Sequence, residues 1–256
     1  MRDLRGLPKA HLHIHLEGAM RPDTLRELAD AAGIEVPPIR GFGSFAAFSG
    51  MYMAACDVLT SPDALARLTR EVIEDSARDG AVWVEPAVYV PHHNQRLGPS
   101  EEVLEIILGA AADAARANDI GVGVIVAADR TVDPADSVKQ AKLAAAYAGR
   151  GVTGFGLAND ETGFPPEPFA EAFALAGDAG LLRVPHAGEL AGPESVTGAL
   201  DALGADRVQH GVRAIEDPEL VRRLADSPVC LDVCPSSNVL LSVVPDIASH
   251  PLPALL

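Results

Sequence analysis

Short apolar runs of β-forming residues alternate along this chain with longer segments of helical periodicity, and that alternation restricts it to a parallel α/β architecture. The strand-like runs fall at 10–16, 81–90, 120–127, 152–157, 181–186, 206–211 and 228–234. The run Gly121-Val122-Gly123-Val124-Ile125-Val126-Ala127 is apolar on both faces, as a parallel strand covered by helices must be. The segment between Pro62 and Arg78 typifies the helical stretches. Ser61 supplies a cap and Pro62 a first-turn proline, and Leu65, Leu68 and Val72 recur at helical intervals. Ser100-Glu101-Glu102 and Asp133-Pro134 open two further helices. Gly149 and Gly151 separate the second of these from the next strand. The region 33–61 is less regular and carries Phe42, Phe45 and Phe48; it reads as an excursion after the first strand that serves as a lid. No linker or low-complexity tract divides residues 1–256, so a single domain is expected.

Composition narrows the function classes. Apolar residues make up 48% of the 256 and charged residues 22%, enough for a large core under an ordinary soluble surface. A net charge of -16 argues against nucleic acid and against anionic membrane surfaces as partners. No stretch of about 18 apolar residues is present to cross a bilayer. The cysteines are Cys56, Cys230 and Cys234, and no apolar leader follows the basic start, so a reducing, cytoplasmic setting is expected. Cys230 and Cys234 are read as small buried apolar groups rather than ligands.

Chemistry-bearing residues gather at strand ends. In His11-Leu12-His13-Ile14-His15-Leu16-Glu17-Gly18 the two-residue period of a strand puts His13 and His15 on one face, where two imidazoles can share an ion. His11 is read as outward-facing and structural, His92 and His93 as exposed loop histidines, and His250 as carrying no signal. His186-Ala187-Gly188-Glu189 and His210-Gly211 end two later strands. In a closed barrel the C-terminal strand ends converge on one mouth. An open dinucleotide-binding sheet wants a G-x-G-x-x-G turn after strand one, and this chain has His15-Leu16-Glu17-Gly18-Ala19-Met20 there. A TIM-type (β/α)8 barrel is therefore expected, with seven recognisable β/α units.

These motifs resemble, in order and over essentially the whole chain, those of the adenosine deaminase family within the amidohydrolase superfamily. Pro8–Gly18 is similar to its opening motif, and Gly156-Leu157-Ala158-Asn159-Asp160-Glu161 to its strand-four loop. His186–Glu189, Val208-Gln209-His210-Gly211-Val212 and Val233-Cys234-Pro235-Ser236-Ser237-Asn238 are similar to the endings of its strands five, six and seven. The resemblance implies a barrel of the metal-dependent hydrolase kind and one zinc ion held by His13, His15 and His186, with iron or manganese as alternatives. It implies water attack on C6 of a 6-aminopurine nucleoside and release of ammonia and a 6-oxopurine. Glu189 would protonate ring N1, and His210 would orient the attacking water or take its proton.

Two departures from the family pattern stand out. Its eighth strand, with paired aspartates, has no counterpart before Leu256. The expectation is a truncated copy or fragment that binds zinc weakly and self-associates through an open barrel edge. Glu17 and Asn159 replace the Asp and Gly that adenosine-specific members place beside the substrate, which brings adenine and aminodeoxyfutalosine forward as alternative substrates. An inactive paralogue that only binds ligand is a further alternative. A hydrolase of the wider superfamily with a carboxylated lysine is disfavoured, because the lysines are Lys9, Lys139 and Lys142, none after strand four.

Overall fold

Proline writes the start of most helices among the described residues. Helices Pro22–Ala32, Pro62–Arg78, Pro91–Leu97, Pro134–Ala146, Pro193–Asp201, Pro218–Ala225 and Pro235–Leu240 all begin on one. The ring presets φ for the first turn, and the missing N–H is one that the helix leaves unpaired anyway. Side-chain caps add to this: the Ser61 hydroxyl accepts from Ala64 N at 3.2 Å, and Asp133 Oδ1 from Ala135 N at 2.9 Å.

The computed structural model describes residues 6–37 and 42–256. Its strands are β1 Lys9–His15, β2 Ala81–Val88, β3 Gly121–Val122, β4 Val124–Asp129, β5 Val152–Ala158, β6 Leu182–Ala187, β7 Arg207–His210 and β8 Cys230–Asp232. They form one sheet in the order β1-β2-β4-β5-β6-β7-β8, with β3 paired to β2 off that path. The pairs β1–β2, β2–β3, β5–β6, β6–β7 and β7–β8 are all parallel. Every expected strand run is a strand, except that 120–127 is divided. Gly121 lies opposite Trp83 in the register, and a Cβ there would sit 2.3 Å from the indole. The large ring thus occupies the space that a side chain on β3 would need.

The chain divides into two contact units. The first comprises Met1–Ile39, Ala46–Ile125 and Gly149–Val152. Its core is built from Leu65, Leu68 and Ile73 of one helix and Leu104 and Ile107 of the helix Ser100–Asn118, all fully buried. Arg21, just before the helix Pro22–Ala32, forks onto Asp75 at 2.8 and 2.7 Å and reaches Glu74 at 3.1 Å, tying that helix to Pro62–Arg78. The irregular region 33–61 holds the helix Phe45–Asp57; residues 38–41 of it, like residues 1–5, lie outside the described residues.

The second unit comprises Arg40–Phe45, Val126–Ala148 and Thr153–Leu256. Phe155 of β5 and Phe173 of the helix Ala170–Asp178 meet edge to face at 5.0 Å, both fully buried. A second cluster packs Ala187, Val196, Ala199, Val208 and Leu220 between β6, β7 and their helices. Cys230 and Cys234 do not behave as expected: Cys230 is exposed and Cys234 half-buried. The short β8 turns Cys230 outward and Asp232 inward, and Cys234 already lies beyond the strand, capping the helix Pro235–Leu240. No helix among the described residues is long and apolar enough to cross a membrane.

Gly188, one residue past β6, has φ +66, and a Cβ there would stand 2.5 Å from Val196 Cγ2. Gly188→Ala therefore meets both a left-handed backbone and a filled space. The substitution is expected to cost about 1–3 kcal/mol, and a thermal melt should fall by several degrees. An unchanged melting temperature would mean that the β6 turn does not have this conformation.

Candidate active site

The end of β1 carries the first half of the site. His13 and His15 lie on one face with ring centroids 5.7 Å apart. Strict alternation would add His11 to them, but the β1–β2 register shifts between His11 and Ile14, and His11 instead meets Asp79 at 3.3 Å. Burial lowers the pKa of His15, with Glu17 opposing, so its imidazole is held neutral, the form that binds a metal. The Tyr52 ring stands edge-on to His15 at 6.2 Å.

Glu17 follows in a short 3-10 turn and is 1% exposed. Its two oxygens are both engaged: Oε2 accepts from the Tyr52 hydroxyl at 2.7 Å, and Oε1 meets His93 Nε2 at 2.6 Å. Burial pushes this carboxyl up, but the His93 and Tyr52 contacts outweigh it and leave the pKa below the usual value. His93 is fully buried, contrary to the expectation of an exposed loop residue. Pro91 starts a helix directly after β2, and its first turn carries His93 inward to Glu17, while His92 packs edge-on against Tyr89. Sequence places His93 just after the second strand but does not point it inward, and Tyr52 carries no sequence signal.

The second unit carries a further group of polar residues. His186, on β6, pairs Nδ1 with the Leu157 carbonyl at 2.9 Å. A carbonyl can only accept, so Nδ1 bears the proton and Nε2 is the nitrogen that carries the lone pair. Arg130, 1% exposed, donates to the His186 carbonyl at 2.8 Å and lies 3.4 Å from Glu161. Glu161 belongs to a recognised motif, but the sequence assigned it no role. Its carboxylate accepts from the backbone N–H of Gly188 (2.8 Å), Glu189 (2.8 Å), Leu190 (2.6 Å) and Ala191 (3.1 Å) and from the Ser195 hydroxyl (2.6 Å). That one side chain folds the turn bearing Glu189.

Glu189 is 6% exposed, and its pKa is pushed up to about 8, first by burial and then by the Glu161 charge. His210 lies beside it, Nε2 to Oε1 at 3.3 Å, and its ring centroid is 5.4 Å from that of His186. Asn238 reaches both: Nδ2 is 3.4 Å from Glu189 Oε1 and 3.3 Å from His210 Nδ1. His250, thought to carry no signal, is 5% exposed and hydrogen-bonds Asn238. Asn159 has φ +82, which explains how a glycine could serve at this position and how Asn tolerates it. Its amide binds Asp129 at 2.8 Å and Thr131 at 3.2 Å.

His13, His15 and His186 each offer one ring nitrogen, and these three atoms lie within 4.8 Å of one another. Nitrogens on one zinc at about 2.1 Å can be separated by at most about 4.2 Å. A neutral His15 and a His186 whose ring proton is on Nδ1 fit the chemistry of such an ion. With a carboxyl held protonated near neutral pH and an imidazole beside it, the inventory suits metal-assisted hydrolysis with proton donation to the substrate.

The family model described as "Adenosine deaminase" matches residues 8–256. A protein of Streptomyces coelicolor, provisionally named adenosine/adenine deaminase, is 47% identical over 95% of this chain and 75% of its own length. An adenine deaminase of Chelativorans sp. is 39% identical over 97% and 78%. Among solved structures, adenine deaminase from Arthrobacter aurescens superposes with a TM-score of 0.89 at 32% identity, covering 97% of this chain and 78% of that one. An amidohydrolase of Burkhoderia ambifaria with bound Zn gives 0.85 at 30%, covering 98% and 73%. The fold class is thus the TIM-type barrel, its seven main strands in the order given above among the described residues. On the family match and these relatives together, the chain belongs to the adenosine deaminase family of hydrolytic deaminases.

Proposed function

We propose that this chain removes the exocyclic amine of a 6-aminopurine by hydrolysis, releasing ammonia and the 6-oxopurine, and that free adenine is its preferred substrate. The observation that carries the reading is the grouping of His13, His15 and His186 around a common point, with Glu189 buried and protonated beside His210. In this reading the three imidazoles hold one divalent ion, zinc by choice of ligands. Such an ion, when bound, makes water nucleophilic near neutral pH. Glu189 gives its proton to the ring nitrogen next to the carbon under attack, and His210 orients the attacking water.

Substrate choice follows from Glu17. Glu17 is 1% exposed, and its two oxygens are turned onto Tyr52 and His93 at 2.7 and 2.6 Å, so the carboxylate is held by the protein rather than presented to a ribose hydroxyl. The relatives named adenine deaminases support the same preference. The three free cysteines suit a reducing cytoplasm.

Ammonia release should be faster from adenine than from adenosine or aminodeoxyfutalosine, by at least about 100-fold in kcat/KM. Equal or better turnover of a nucleoside would reject the adenine preference. His186→Ala should lose metal by mass spectrometry, whereas Glu189→Gln should keep its metal and lose roughly 100- to 10,000-fold in kcat. Retention of stoichiometric metal by His186→Ala would remove that residue from the ligand set.

The pH dependence follows from Glu189, whose folded pKa of about 8 lies above the ordinary 4.5. As a proton donor it is active below about pH 8, so kcat should decline as pH rises through that value. For stability the sign is the same. The advantage of the neutral buried carboxyl is complete below 4.5 and is lost as pH rises toward 8. Glu189→Gln should therefore unfold at a higher temperature than wild type at alkaline pH, and the gap should close in acid.

A further inference from the structure

The chain of contacts behind His210 has a direction. It starts at the backbone N–H of Leu252, which donates to His250 Nδ1 at 3.0 Å. A backbone N–H can only donate, so Nδ1 of His250 is bare and its ring proton sits on Nε2. That Nε2–H faces Asn238 Oδ1 at 3.1 Å and donates to it. The amide orientation of Asn238 is thereby settled, with Oδ1 toward His250 and the NH2 toward the catalytic pair. The NH2 has two hydrogens and two acceptors in reach, His210 Nδ1 at 3.3 Å and Glu189 Oε1 at 3.4 Å. His210 Nδ1 must then be the accepting nitrogen, so a neutral His210 carries its proton on Nε2, the nitrogen 3.3 Å from Glu189 Oε1.

We propose that Asn238 and His250 are positioning residues that fix the tautomer of His210 and, through it, the oxygen of Glu189 that bears the transferable proton. Oε1 of Glu189 receives two donors, Asn238 Nδ2–H and His210 Nε2–H. A proton on Oε1 would confront both, so the acid proton resides on Oε2 and is directed away from the relay. With its Nε2 protonated, His210 has no lone pair there to take a proton from water, which rules out proton abstraction by that nitrogen. The relay is well insulated: Asn238 is fully buried and His250 is 5% exposed, so no solvent competes for these bonds. Asn238 is held from its own backbone as well, since Val243 N and Val244 N both donate to its carbonyl, at 2.8 and 3.2 Å.

The role of the Oε2 proton rests on the aminopurine deaminase reading; the tautomer does not, and the test separates them. Nitrogen-15 spectra of the metal-free wild-type protein at neutral pH should show His210 as a single neutral tautomer with a bare Nδ1 and a protonated Nε2. An Nδ1–H tautomer would overturn the proposal. In Asn238→Ala and His250→Ala the His210 signal should become a tautomer mixture. The kcat for adenine should then fall roughly 10- to 100-fold with KM within about twofold. His250→Gln, whose amide N–H can replace the Nε2 donor, should restore both the single tautomer and most of the rate. Wild-type tautomer and rate in Asn238→Ala would equally defeat the idea. If the wild-type chain deaminates no aminopurine, the functional reading fails while the tautomer result is still read from the spectrum.

Discussion

The part of the candidate site that lies in the second unit depends on one carboxylate, Glu161. It takes the backbone N–H groups of Gly188, Glu189, Leu190 and Ala191 together with the Ser195 hydroxyl, five donors on two oxygens. Without it, those N–H groups would be left unpaired in a buried turn, each at a cost of about 1–3 kcal/mol. The turn is therefore not free to sample other shapes, and Glu189 is delivered to a defined place beside His210. The same negative charge is the second cause, after burial, of the raised Glu189 pKa. One side chain sets both where the acid sits and whether it keeps its proton.

Much of this was legible from sequence because it follows local rules. A two-residue period puts His13 and His15 together, proline and a capping side chain mark helix starts at Ser61 and Asp133, and apolar runs bounded by glycine become strands. What was not legible depends on contacts between residues distant in the chain. Glu161 receives its donors from a loop about thirty residues later, and His93 meets Glu17 across 76. His250 gains meaning only from the direction of a backbone N–H two residues on. Periodicity carries no information on such pairings. Cys230 and Cys234 failed for a related reason: a three-residue strand offers too little alternation to read which way a side chain turns.

Two of the buried acids, Glu17 and Glu189, show how environment divides one chemistry into two. They are 1% and 6% exposed, so desolvation drives both pKa values upward. At Glu17 this is overcome, because Tyr52 and His93 place short contacts of 2.7 and 2.6 Å on separate oxygens. At Glu189 the contacts from His210 and Asn238 are longer, 3.3 and 3.4 Å, both fall on Oε1, and the neighbouring charge is another carboxylate. The first therefore persists as an anion, fixed by its partners. The second persists as a neutral acid with one oxygen spared, a state that can give up a proton. Residue type alone could not separate these roles, since both are glutamates a short step beyond a strand-end histidine. The number and placement of hydrogen-bond donors does, and it does so before any substrate arrives.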